Sequence, residues 1–224
     1  MKFDAPSPAG NELAGWLAGE VRKAHRSPVI VAGSVVAGEE DAVLDAFARV
    51  RGQFPKALLV LAPRKPERFA AAAALVEARG WGLMRRSQLD HLAGPLDAGV
   101  FLLDSIGELG GLYRVADLVF VGGSLLDAGG HNILEPASLG KAPIFGPHMQ
   151  NFREIARTFL ASGAAMQVST ADELGRVWLD CFLDEARREA AGRSARELVE
   201  SNRGATERVV RDVEALVGAD GQGQ

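Results

Sequence analysis

The sequence predicts an α/β fold in which one doubly wound, mostly parallel sheet carries helices on both faces. Three observations predict it. Short runs rich in Val, Ile and Leu alternate with segments whose apolar residues recur at helical spacing. The runs are apolar at nearly every position instead of every second one, as in strands buried on both faces. No internal repeat and no Pro-, Gly- or Ser-rich linker divides the chain. Strand–helix alternation then implies parallel strands joined by crossover helices.

Each element has its own signal. After an opening loop, Asp4 to Pro8, the positions Leu13, Trp16, Leu17 and Val21 mark a helix from about Asn11 to Lys23. Pro28 to Gly33 is a β-branched run ending at glycine, the first strand. Val43, Leu44, Phe47 and Val50 form one stripe of a helix over Glu39 to Arg51. Ala57 to Ala62 is the second strand; Pro63 and Pro66 bracket a loop before an alanine-rich helix that runs to about Arg79. Trp81 to Met84 predicts a weak strand. Arg85 to Ala98 shows no clear period and reads as loop, with an edge strand as the alternative.

Val100 to Leu103 is a strand stopped by Asp104, and a short helix over Glu108 to Val115 leads to the strand Leu118 to Val121. Beyond a glycine-rich turn at Gly129-Gly130, the pattern gives a helix near Glu135 to Leu139, a brief strand Pro143 to Phe145 and a helix Phe152 to Leu160. The last strand is Ala164 to Val168, and two helices, Ala171 to Phe182 and Glu185 to Leu216, close the chain. Residues 218–224 carry too little apolar surface to pack and are expected to be disordered.

Composition narrows the function. Of 224 residues, 25 are Lys or Arg and 29 are Asp or Glu, a net charge of −4 that argues against a generally basic nucleic-acid binder. The single cysteine, Cys181, excludes an internal disulfide framework and a cysteine-rich zinc site, and suits a reducing compartment. His25, His91, His131 and His148 show no metal-ligand spacing. No run approaches the roughly 20 apolar residues of a membrane span, and Met1 to Pro6 lack the apolar stretch of a secretory signal. A soluble chain is expected.

In a doubly wound fold ligands bind beyond the carboxyl ends of the strands, so four loops are candidates. Gly33-Ser34-Val35-Val36-Ala37-Gly38-Glu39-Glu40 has the glycine spacing of a P-loop but Glu39-Glu40 where Lys and Ser/Thr are required, and it is not G-x-G-x-x-G. A tight turn with acidic residues favoured by the helix dipole and a ligand-touching loop both remain open. In Pro63-Arg64-Lys65-Pro66-Glu67-Arg68-Phe69, either Arg64 clamps an anion or the charges cap a helix in solvent. In Asp104-Ser105-Ile106-Gly107-Glu108, a cap from Asp104 or Ser105 is favoured over a ligand role for the exposed backbone at Gly107.

The fourth loop is the most informative: Gly122-Gly123-Ser124, then Gly129-Gly130-His131-Asn132-Ile133-Leu134-Glu135-Pro136. Its glycines let backbone N–H groups approach a phosphate, and the following helix start adds positive potential. A carboxylate repels phosphate, so Glu135 fits a ribose diol, to which it can accept two hydrogen bonds. The competing reading is a capping box, since Asn132-x-x-Glu135 has the spacing. Pro136 weakens it, because proline prefers the first helical position. His131 is a donor to phosphate or a turn residue, and His148 is read as structural.

Together these segments resemble the C-terminal half of the Kdo transferases of lipopolysaccharide assembly. The resemblance runs from about residue 28 to 168. It is carried by Gly33-Ser34 with Gly38-Glu39-Glu40; Pro63-Arg64 with Pro66 to Phe69; Gly107-Glu108-Leu109; Gly122-Gly123-Ser124; Gly129 to Asn132 with Leu134-Glu135-Pro136; and Phe145 to His148 with Asn151-Phe152. It implies the Rossmann-like half of a two-domain glycosyltransferase that binds the donor CMP-Kdo and serves transfer of Kdo to a lipid A precursor at the cytoplasmic face of the inner membrane.

Met1 to Asp4 looks like the point where the family's first domain hands over to its second. The resemblance therefore implies an interdomain segment and helix over 1–27, a sugar-nucleotide-binding domain over 28–217 and a tail over 218–224. The nucleotide-binding residues it implies are Ser34, Pro63, Arg64, Ile106, Gly107, Glu108, Gly129, Gly130, His131, Asn132, Ile133, Leu134 and Glu135. Arg64 and the Gly129 to Asn132 turn would hold the phosphate, Glu135 the ribose, and the Pro63 and Gly107 loops the cytosine. No catalytic residue, metal or cofactor is expected here, since the family's general acid/base belongs to its first domain. The membrane surface would be met only by the full-length protein. Val35-Val36 and Lys65 depart from the Thr, His and His common in the family. Half of a UDP-sugar transferase or epimerase, or a non-enzymatic binding module, are the alternatives.

Overall fold

The computed structural model describes Phe3 and residues 6–203. Helix α1 (Glu12–Lys23) starts where the Asn11 side chain accepts the Ala14 N–H at 2.8 Å, and its first turn carries Glu12 and its last Arg22 and Lys23. Strand β1 (Val29–Val35) and helix α2 (Glu40–Gln53) follow, then β2 (Leu58–Pro63) and, after a 3-10 turn over Pro66–Arg68, α3 (Phe69–Ala78). Next come β3 (Leu83–Arg85), β4 (Val100–Leu102), α4 (Leu109–Leu112) and β5 (Leu118–Val121). The rest is α5 (Leu134–Ser138), β6 (Pro143–Phe145), α6 (Arg153–Ala161), β7 (Met166–Gln167), α7 (Ala171–Leu183) and α8 (Glu185–Asn202).

The strands form one sheet in the order β3-β4-β2-β1-β5-β6-β7, with every neighbouring pair parallel. The chain lays β2, β3 and β4 on one side of β1, then returns to place β5, β6 and β7 on the other. The order therefore reverses between β1 and β5, which pair with Ala32 opposite Phe120 and Gly33 opposite Val121. Both loops leaving this point lie at the carboxyl ends, where a doubly wound sheet opens a crevice.

Alternate strand residues feed two cores. Val31, Val60, Phe101, Val119 and Phe145 pack with Leu13 and Leu17 of α1, Phe159 of α6 and Val199 of α8. Ile30, Leu59, Leu61, Phe120 and Ile144 pack with Phe47 of α2, Val76 of α3 and Trp178 of α7. Each large apolar side chain so enclosed contributes about 1.5–3 kcal/mol relative to exposure. Two-sided burial is why the strands read as continuous apolar runs.

Some elements differ from the sequence expectation. The weak strand expected over Trp81 to Met84 is shifted to Leu83–Arg85. Trp81 instead meets Phe47 edge to face with the Arg51 guanidinium over its ring. Residues 85–98 supply no further edge strand among the described residues; after β3 they form 3-10 turns over Arg86–Gln88 and Asp90–Leu92. The last strand shrinks from five residues to Met166–Gln167, the two that pair with Ile144 and Phe145 of β6. The part of the final helix beyond residue 203, the tail over 218–224 and residues 4 and 5 of the opening loop lie outside the described residues. No helix among the described residues is long and apolar enough to cross a membrane.

Candidate functional site

The crevice between the ends of β1 and β5 is filled by a side chain of the protein itself. Glu39, fully buried just before α2, accepts N–H bonds from Gly123 at 2.7 Å and Val36 at 3.1 Å on one oxygen. Its other oxygen accepts from Ser124 and Leu125, both at 2.8 Å, and Leu126 at 3.4 Å. The expectation that glycines 122 and 123 open amides to a phosphate is thereby corrected, because the Gly123 amide is spent on Glu39 and the Gly122 N–H donates to the Gly33 carbonyl at 2.8 Å. Glu40 stands in the first turn of α2, as one of the two sequence readings has it, and Glu39 stands at its N-cap. Glu40, also buried, accepts from Gly38 N–H at 2.7 Å and from the Arg68 guanidinium at 2.9 Å.

Beside this plug lies a cleft of about 810 Å³ lined by residues that include Val36, Arg64, Lys65, Arg68, Leu126 and His131. Arg64 stands just past β2, its backbone N–H tied to the Val35 carbonyl at 2.8 Å, so strand pairing fixes its base. The side chain is exposed and joins no ion pair among the described residues, whereas Arg68 is committed to Glu40. His131 packs its ring against Gly123, where a Cβ would lie 2.8 Å from the ring and where φ is +67°. Its Nε2 is buried without a hydrogen-bond partner among the described residues. Burial lowers the imidazole pKa, the Arg64 cation lowers it further, and Glu39 opposes both. The ring is therefore neutral near pH 7.

The turn that carries His131 is held from behind. Gly130 N–H donates to the Gly123 carbonyl at 2.7 Å, Asn151 N–H to the Gly129 carbonyl at 2.9 Å, and the Asn151 amide to the Gly130 carbonyl at 3.3 Å. The capping box that was the competing reading of Asn132 and Glu135 does not form. Asn132 instead accepts the Leu134 N–H through its side chain at 3.0 Å and donates its amide to one Glu135 oxygen at 3.0 Å. The carboxylate is thus held by a neighbouring side chain and not by its own backbone. Its second oxygen faces Gly110 of α4, and its charge adds to burial in raising the Tyr113 phenol pKa. Ile133 and Leu134 turn their side chains into the core, leaving only backbone for a ligand.

The third loop reaches out separately. Ile106 is 66% exposed and Gly107 has φ +89°. Neither Asp104 nor Ser105 caps α4, contrary to expectation: Asp104 accepts from Ser87 N–H at 2.8 Å and Ser87 Oγ at 2.6 Å, and Ser105 donates to Glu108. The Glu108 carboxylate pairs with Arg86 at 3.1 Å and lines a second cleft of about 550 Å³ with Asn11, Arg86 and His91. Ser34, at φ +55°, lies inside β1 where its register with β2 shifts between Ala32 and Val35, and Pro63 ends β2 buried. The structure thus gathers Arg64 and His131 in one cleft, sets Glu135 against α4, and puts Glu108 in another. Sequence reasoning missed the role of Glu39; the available signal was a glutamate at an N-cap position that favours Asn, Asp, Ser or Thr. No group of three or more His, Cys, Asp or Glu suited to a metal ion occurs among the described residues.

No protein-family model matches the chain. Over 223 residues it is 34% identical to the 3-deoxy-D-manno-octulosonic acid transferase of Bordetella pertussis, a match covering 97% of this chain and 51% of that protein. The Haemophilus influenzae transferase of the same name is 37% identical over 184 residues, 82% of this chain and 43% of the relative. Among solved structures, the C-terminal CMP-Kdo binding domain of WaaA from Acinetobacter baumannii superposes with a TM-score of 0.76 at 29% identity, covering 84% of this chain and 97% of that one. Anabaena HepE in complex with UDP-glucose shares the fold, at TM-score 0.65 and 14% identity, over 92% of this chain and 54% of that one. The chain spans about half the length of the transferases it matches.

Proposed function

We propose a function from the premise that this chain belongs to the 3-deoxy-D-manno-octulosonic acid (Kdo) transferase family, of whose members it spans about half. The chain binds the nucleotide of CMP-Kdo at the carboxyl ends of β1, β2 and β5. The carrying observation is a cleft lined both by Arg64, which joins no ion pair among the described residues, and by His131, whose buried Nε2 has no hydrogen-bond partner among them. A phosphate would satisfy both, with the Gly129, His131 and Asn132 N–H groups as further donors while that of Gly130 stays on the Gly123 carbonyl. Glu135, its second oxygen turned toward α4, would take the ribose hydroxyls. Pro63 and the Ile106-Gly107-Glu108 loop would bound the base.

In the reaction that the family name describes, CMP leaves the anomeric carbon of Kdo. Charge builds on the phosphate as that bond breaks, and Arg64 with the preorganised amides steadies it. On this reading the positive field comes from the protein alone, so neither metal nor cofactor is required. The acceptor, a lipid A precursor at the cytoplasmic face of the inner membrane, would be met by the part of the relatives that this chain does not span. Transfer would need that part too. Calorimetric titration of CMP and UDP tests the proposal. CMP binds more tightly, chelator leaves its affinity unchanged, and Arg64→Ala weakens it about tenfold or more, as expected for one charge-assisted contact. Equal or UDP-favouring affinity would defeat it in favour of a UDP-sugar enzyme.

A further inference from the structure

A carboxylate that receives five backbone N–H groups occupies the place where a doubly wound sheet ordinarily opens to its ligand. All five partners are donors, so both Glu39 oxygens serve as acceptors. The side chain binds the exit of β1 at Val36 to the exit of β5 at residues 123–126. That second segment passes the restraint on. Gly123 accepts the Gly130 N–H at 2.7 Å and offers the face on which His131 packs. Ser124 accepts the His148 N–H at 3.0 Å through its carbonyl and the Gly146 N–H at 2.8 Å through its hydroxyl. An unbroken series of hydrogen bonds therefore runs from Glu39 to the turn at residues 129–132.

We propose that Glu39 is a positioning residue for the donor phosphate: it fills the amide nest at the sheet's reversal point, fixes the 129–132 turn through Gly123, and so directs the phosphate to that turn and to Arg64. The proposal rests on the nucleotide reading above and adds which amides the ligand does not use. Two anions cannot share the nest, since a phosphate entering it would meet a buried carboxylate at close range with little screening. Gly122 is equally constrained: a Cβ there would lie 2.6 Å from the Ser34 carbonyl oxygen and 2.8 Å from a Glu39 oxygen, so the three chain segments close on one another without a gap.

Calorimetry with CMP and with cytidine, on the wild-type chain and on Glu39→Gln, tests this. The glutamine aims an NH2 group at N–H donors and leaves amides of residues 123–126 unpaired. CMP affinity is expected to fall about tenfold, and the ratio of CMP to cytidine affinity to fall with it, because the damage lies on the phosphate side. A ratio unchanged from wild type overturns the proposal and marks Glu39 as structural glue. Should Glu39→Gln not fold, wild-type amide resonances decide. On saturation with CMP, the resonances of Gly129 to Asn132 move while those of Gly123, Ser124 and Leu125 hold still; larger shifts in the second group overturn the assignment. Failure of the nucleotide reading looks different, with no heat from either ligand in the wild type.

Discussion

His131 stands between two opposite charges, and its titration reports on both. Burial is the largest influence lowering its pKa, Arg64 lowers it further, and Glu39 pulls the other way. Because the folded pKa lies below the unfolded value of 6.5, the unfolded chain binds the extra proton first as pH falls. The contribution of this group to stability is therefore complete above pH 6.5 and is lost as pH drops through the folded pKa. Following the ring protons by NMR should give a midpoint below 6.5. Arg64→Ala should raise that midpoint, and Glu39→Gln should lower it. A midpoint that ignores Arg64→Ala would mean that the two side chains do not share the cleft. This scale is where the sequence was least legible. Arg64, His131 and Glu135 are visible as chemistry following strand-like runs, but hydrogen-bond partners are not. Nothing in the spacing of Asp104 and Ser87, 17 residues apart, tells that they bond, nor that Glu39 reaches across to residues 123–126.

At the scale of elements, the buried strands were legible because each is a dense apolar run, and the long helices because one stripe is apolar. The short elements were not. With only three residues, β3 is too short to show a period, and its position at the sheet edge leaves it half-buried. Helix contacts set by small residues are equally hidden from pattern. Gly192 of α8 packs against Gly140, just past α5, so closely that a Cβ on it would overlap the Gly140 carbonyl oxygen. Two effects oppose each other in Gly192→Ala. Helix propensity favours alanine by about 1 kcal/mol, while overpacking against a backbone atom that cannot rotate away costs about 1–3 kcal/mol. The clash is with backbone and the site lies within a long helix, so the second should win. A lowered thermal midpoint is expected, whereas Gly19→Ala on α1, where a Cβ meets nothing within 4 Å, should leave it unchanged or raised. Equal midpoints for the two variants would show that α8 can move away from α5 at little cost.

Over the whole molecule, the candidate nucleotide site draws on both sides of the sheet: Arg64 follows β2, the 129–132 turn follows β5, and the plug before α2 joins them at β1. A ligand held by Arg64 and the 129–132 turn bridges the two halves, which also meet through the pairing of β1 with β5, the hydrogen bonds of Glu39 and the covering helices. Binding then stabilises the folded chain as a unit, and not one loop alone. At CMP concentrations about 100 times the dissociation constant, the gain is about 2.7 kcal/mol. For a domain of this size each kcal/mol moves the thermal midpoint by roughly 2–4 °C, so the transition should rise by roughly 5–10 °C and remain a single step. UDP at the same concentration should raise it less, and Arg64→Ala should remove most of the CMP effect without lowering the unliganded midpoint, because the side chain is exposed and joins no ion pair among the described residues. A CMP-induced rise that survives in Arg64→Ala would place the phosphate elsewhere on the carboxyl rim. A two-step transition, with only the later step moved by CMP, would show that the ligand touches one half of the sheet and that the β1–β5 reversal is not where it binds.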